Sequence, residues 1–223
     1  MSRLFVVLFI LLALPVNAAD SRSINVFAIP SAALEQVVAD TSKQLQANGI
    51  SSFYAQGLPV HATLYLTDYP LTAINDIKQR VEHIAQHQQP FVLTAHGFSV
   101  SPSNWAFIDL NTSNDLQRLA DEVTVALAPL RDSDSELPGW VKHYPNKIAA
   151  FERYGSPNVF QNYDPHLTLL ANEASPKLAE VAQRLQQQPP HADGEIIGIG
   201  IAISDAQGQL AEVVARYYFA EYK

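Results

Sequence analysis

Two tripeptides of this 223-residue chain could share acid–base chemistry: His61-Ala62-Thr63 and His166-Leu167-Thr168. Each is followed by a leucine, Leu64 or Leu169, and each lies in an apolar, β-branched run. In a strand, residues i and i+2 share a face, so each histidine gains a neighbouring threonine hydroxyl. Histidine titrates near pH 6.5, and a pair can hold one neutral and one protonated ring near neutrality. Such a pair suits a phosphodiester. One ring would take a proton from the attacking oxygen, and the other would protonate the leaving oxygen. The hydroxyls would donate to phosphoryl oxygens as charge develops there. This arrangement requires no metal and no cofactor. A single H-x-T would read as a strand histidine beside a strand-favouring threonine. With seven histidines in the chain, only about 0.25 copies are expected by chance. Two copies in matching contexts favour the chemical reading.

Hydrophobic periodicity indicates what positions these residues. Strands are predicted over residues 23–29, 60–67, 91–100, 105–110, 166–171, 195–204 and 210–219. Helices are predicted from Ala32 to Asn48-Gly49, from Thr72 through Ala85, over 115–130 and over 176–188, with a shorter one at 146–154. Ser31 is placed as the N-cap of the first helix. The rest of 137–164, rich in Pro, Gly, Asn and aromatics, reads as loop. The order is not the regular βα alternation of a doubly wound sheet. It predicts an α+β fold: two similar lobes with mixed or antiparallel sheets flanked by helices, and the site in the groove between them.

These residues resemble the 2H phosphoesterase superfamily, which includes 2′-5′ RNA ligase-like proteins and cyclic nucleotide phosphodiesterases. The resemblance rests on the paired H-x-[ST] motifs and on Pro165-His166-Leu167-Thr168-Leu169, and it extends over residues 23–219. It implies that His61 and His166 are general acid and base, and that Thr63 and Thr168 hold phosphate oxygens. The chain departs from many relatives in having Leu169, Leu170 and Ala171, rather than a basic residue, after the second motif.

Composition narrows the substrate. There are 14 Lys and Arg against 22 Asp and Glu, a net charge of −8. Tight binding of long nucleic acid needs clustered basic residues, so a small phosphodiester or a short oligonucleotide is expected instead. The absence of cysteine rules out disulfides and thiol chemistry. Arg3, the apolar run from Leu4 to Val16 and the small-x-small Val16-Asn17-Ala18 read as a signal peptide over residues 1–18. Residues 19–223 would then form one bilobal domain, periplasmic or secreted, with no stable membrane insertion after cleavage. The run is too short to span a bilayer, which takes ~20 residues. The oligomeric state is left open.

Other residues weigh less. Tyr65 shares the His61 face by alternation, and Tyr163 precedes the second motif, so both are candidates to line the substrate pocket. Phe160 also precedes that motif, and Trp140, His143 and Tyr144 could form an aromatic lid. His83 and His87, four apart on a helix, read as a solvated face. His96 reads as structural, and Asp109 with Asp132, Asp134 and Glu136 as a surface loop. Gly194, Gly198 and Gly200 mark a bulge or a close backbone approach rather than a dinucleotide fingerprint. Two rival readings stand beside the enzyme. One is an exported binding protein that keeps the groove without chemistry. The other is a metal-dependent hydrolase with His61 and His166 as ligands.

Overall fold

The computed structural model describes residues 20–220, so the signal-peptide expectation lies outside the described residues. The described residues form seven strands: β1 (Ser21–Pro30), β2 (Ala62–Pro70), β3 (Phe91–Val100), β4 (Ala106–Leu110), β5 (His166–Leu170), β6 (His191–Ser204) and β7 (Leu210–Tyr218). The helices are α1 (Ala32–Gln46), α2 (Ile74–Gln86), α3 (Asn114–Leu127), α4 (Pro145–Tyr154) and α5 (Leu178–Gln187).

Apolar stripes dock the helices on one side of the sheet. On α3, Leu116, Leu119, Ala120, Val123 and Leu127 are all buried, and the Ser113 hydroxyl accepts from the Leu116 N–H at its start. Ser31 stands at the N-cap position of α1 but does not cap it. Its hydroxyl accepts instead from the Glu195 N–H at 3.0 Å, tying the helix to β6.

Every strand pair is antiparallel, in one sheet of order β2-β1-β6-β3-β4-β5, with β7 also on β6. The α+β class is as expected, and the two halves share a strand. β6 pairs with β3 through His191–Ile196 and with β1 through Ile196–Ile203. The end strands of the path approach one another, and the turn preceding β2 is tied to β5 by the Phe53 N–H, which donates to the Leu169 carbonyl at 2.9 Å. The Tyr163 hydroxyl also donates to the Thr63 carbonyl at 3.1 Å. Strands β2 and β5 thus come near one another without pairing, with the second motif on β5 and the first running from His61, just before β2, into that strand.

The main core fills the helical side of the sheet. A smaller cluster of Phe27, Ile29, Ile197, Ala202 and Leu210 lies on the opposite face. Gly200 makes room there. A Cβ at that position would sit 2.1 Å from the Phe27 ring, so only glycine lets the ring lie over β6.

Candidate active site

The two motifs are built alike. In both, the residue after threonine is a β-bulge. Across β1–β2, Phe27 faces Thr63 and Val26 faces Tyr65, so Leu64 is the extra residue. Across β4–β5, Phe107 faces Thr168 and Ala106 faces Leu170, so Leu169 is the extra residue. Both leucines are buried in the main core. The leucine common to both H-x-T-L segments is thus the residue that ends the site-facing alternation.

The bulge corrects one expectation. Tyr65 does not share the face of His61, because the extra residue turns it to the helical side. It is 1% exposed, and its hydroxyl donates to the Tyr154 carbonyl. Tyr163 is also not free, since its hydroxyl bridges to the Thr63 backbone and joins the second-motif loop to the first motif. Burial holds that hydroxyl well above the ordinary tyrosine pKa.

Each histidine is oriented in the same way. His61 Nδ1 lies 3.1 Å from the Pro59 carbonyl, and His166 Nδ1 lies 2.8 Å from the Asp164 carbonyl. A carbonyl only accepts, so Nδ1 carries the proton in both neutral rings. Nε2 of each ring is then the atom with the free lone pair, able to accept a proton or, once charged, to donate one. A phenylalanine from the neighbouring strand supports each ring: Phe27 at 5.8 Å from His61 and Phe107 at 4.3 Å from His166.

The surroundings differ. His61 is 6% exposed beside Phe27, and burial pushes its pKa down to about 4, aided by the nearby His166. His61 thus lies within electrostatic reach of His166. His166 is half-buried. Burial lowers its pKa, while the Asp164 carbonyl and the charges of Asp164 and Asp109 oppose the shift. Asp109, which the sequence left among surface-loop acids, lies on β4 directly opposite His166. Ser99 donates to its Oδ1 at 2.6 Å. The matching position on β1, two residues after Phe27, is the apolar Ile29.

The segment after α3 supplies a cation. Lys147 Nζ donates to Asn158 Oδ1 at 2.5 Å and lies 5.2 Å above the Trp140 ring and 5.9 Å above the Tyr144 ring. Its charge is among those felt by His166. The aromatic segment is therefore organised around a lysine on α4. It brings positive charge near the second motif, although none follows that motif in sequence.

The remaining candidates lie apart from this arrangement. The exposed His83 of α2 and His87 just after it lie with ring centroids 4.4 Å apart and planes inclined by 54°, with His87 Nδ1 bonded to the His83 carbonyl. His96 packs edge-on against His191 across β3–β6. A cleft of about 980 Å³ between α2 and α3, lined by Arg80, His83 and Glu122 among others, contains neither motif. Among the described residues no group of three or more His, Cys, Asp or Glu is arranged to hold a metal ion. No described helix is long and apolar enough to cross a membrane.

Phe27, Phe107, Asp109 and Lys147 were not assigned to the site from sequence. The signal for the first two was faint: each lies in the strand that pairs with a motif strand.

The fold and the paired motifs define a two-histidine phosphoester-processing class. Residues 34–208 match the model of the 2′-5′ RNA ligase superfamily. The chain belongs to that superfamily, which is the 2H phosphoesterase group. Among solved structures it is similar to TT0787 of Thermus thermophilus, with 12% identity and a TM-score of 0.55, over 88% of this chain and 97% of that one. It is also similar to E. coli LigT without ligand, with 15% identity and a TM-score of 0.55, over 90% and 98%. The match to E. coli LigT complexed with 3′-AMP has 16% identity and a TM-score of 0.54, over 90% and 99%. No curated protein sequence matches. Superfamily membership supports phosphodiesterase or ligase-like activity.

Proposed function

We propose that the protein is a metal-independent phosphodiesterase acting on a small or short phosphodiester, such as a 2′,3′-cyclic nucleotide or an oligonucleotide end. One observation carries this reading. The two H-x-T motifs, at the two end strands of the sheet path, each fix histidine Nδ1 on the carbonyl two residues back and leave Nε2 for chemistry. E. coli LigT, which shares the fold, has been captured with 3′-AMP, so nucleotides are the first class to test.

In this reading His61, the more buried and neutral ring, is the base. Its Nε2 takes the proton from a water or ribose hydroxyl as that oxygen bonds to phosphorus. His166, facing Asp109, is the acid. Its Nε2–H passes a proton to the leaving oxygen as the second P–O bond breaks. For a 2′,3′-cyclic nucleotide and water the product is a monoester. The Thr63 and Thr168 hydroxyls donate to the non-bridging oxygens, where preorganised donors have their largest effect. Attack by a ribose hydroxyl instead of water gives the reversible, ligase-like exchange.

The test is turnover of 2′,3′-cyclic nucleotides followed by phosphorus NMR with EDTA present. The reading expects turnover that His61→Ala and His166→Ala each abolish. Activity that survives in either variant, or that EDTA removes, would overturn it. Binding of nucleotide without any turnover would favour the binding-protein reading.

Export is part of the proposal, motivated by Arg3, the apolar run and Val16-Asn17-Ala18. The intact mass of the protein recovered outside the cytoplasm should start at Ala19. Recovery of an uncleaved cytoplasmic chain would count against it.

A further inference from the structure

Thr63 and Thr168 occupy matching positions, yet their hydroxyls are not held alike. Thr168 makes no side-chain hydrogen bond among the described residues. Thr63 Oγ1 lies 3.0 Å from Nδ2 of Asn25, and the same nitrogen lies 3.2 Å from the Gly208 carbonyl. Asn25 is on β1, two residues before Phe27, and is 0% exposed. Its Oδ1 is buried without a protein partner.

The Gly208 carbonyl fixes which way the Asn25 amide points. A carbonyl oxygen can only accept, so the group facing it must be the NH2, not the amide oxygen. The second amide hydrogen is then directed at Thr63 Oγ1. A hydroxyl that accepts from an N–H keeps its own hydrogen for a different partner. The bulge after Thr63 keeps that side chain on the face of His61. Its O–H is therefore left available to a partner on that face.

We propose that Asn25 is a positioning residue: pinned by the tip of the β6–β7 hairpin, it holds the Thr63 hydroxyl as an acceptor so that its proton is presented to a phosphoryl oxygen. This inference rests on the proposed function for the identity of the ligand, though not for the positioning itself. Thr63 is then preorganised, whereas Thr168 must orient when ligand arrives. The hairpin tip becomes part of the site through one backbone carbonyl.

The test has two readouts on the full chain. The first needs no ligand: three-bond couplings to the Thr63 methyl carbon report its χ1 rotamer. They should show one rotamer in the unaltered protein and averaging in Asn25→Ala. An equally fixed rotamer in the variant would overturn the inference. The second readout is affinity for inorganic phosphate, by phosphorus NMR titration. Asn25→Ala should weaken binding roughly tenfold, the scale of one hydrogen bond to a charged group. In a Thr63→Val background the same change should cost nothing further, because the residue acts through Thr63. An equal loss in both backgrounds would overturn the inference. Asn25→Leu keeps much of the volume while removing the NH2, so it should fold and show the same loss. Phosphate affinity unchanged in Asn25→Leu would contradict the proposal. Absence of phosphate binding by the unaltered chain would instead overturn the functional reading, while the Thr63 couplings still decide the positioning.

Discussion

The ring of Phe107 lies 4.3 Å from that of His166, centroid to centroid, with the planes inclined by 56°. The counterpart pair, Phe27 and His61, is wider at 5.8 Å and edge-on at 70°. An aromatic face attracts a cation, so Phe107 favours protonated His166 more than Phe27 favours protonated His61. Phe107→Leu should lower the His166 pKa and slow turnover about threefold. Carbon–proton NMR titration of the ring and steady-state kinetics check both. A rise in the pKa would count against this role.

Asp109 acts on the same ring through charge. It lies opposite His166 on β4, and its carboxylate opposes the downward shift that burial imposes. Asp109→Asn removes that opposition, so the His166 pKa should fall further. Fewer rings then carry the acid proton at neutral pH. The alkaline limb of the pH–rate profile should move to lower pH, with the His61 titration little changed. An unmoved alkaline limb would separate Asp109 from the chemistry.

His61 makes stability depend on pH. Its folded pKa of about 4 lies below the ordinary value of 6.5. Above pH 6.5 the ring is neutral in both folded and unfolded chains, and its contribution is complete. Between pH 6.5 and 4 the unfolded chain takes a proton that the folded one refuses, so stability falls with pH. The loss from this group should approach roughly 3 kcal/mol. Urea unfolding at pH 7 and pH 5 should show the drop in the unaltered protein and a much smaller one in His61→Asn. Parallel curves would mean that His61 is not held neutral.

Gly200 links the packing to the site. A Cβ there would strike Phe27, whose ring supports His61. Gly200→Ala should destabilise the fold by about 1–3 kcal/mol, as overpacking does. It should also reduce turnover by more than the lost folded fraction, because the displaced ring moves His61. Calorimetry and kinetics on the folded fraction separate the two effects. Unchanged activity per folded molecule would show that Phe27 does not position the histidine.

The strands and helices were largely readable, because their periods of 2 and 3.6 are local properties. The H-x-T pair was readable for the same reason: its geometry needs only one strand at a time. Tyr65 shows where that logic stops. Alternation carried it onto the His61 face, but Leu64 is a bulge, and the bulge exists only against the register of β1. Asn25, Phe27, Phe107 and Asp109 were missed because they act across strand pairs. The Asn25–Thr63 bond spans 38 positions in sequence. Lys147 was missed because it comes within electrostatic reach of His166 from α4, through folding rather than spacing. The expectation for residues 1–18 falls outside the described residues.

The central claim is that His61 and His166 serve one phosphate. It is tested most directly by titrating the protein with a nucleoside 3′-monophosphate while following both imidazoles by carbon–proton NMR. The account predicts that both rings shift together, with one dissociation constant, and that both pKa values rise as the anion binds between them. Shifts confined to one ring, or two rings following different dissociation constants, would contradict a shared site.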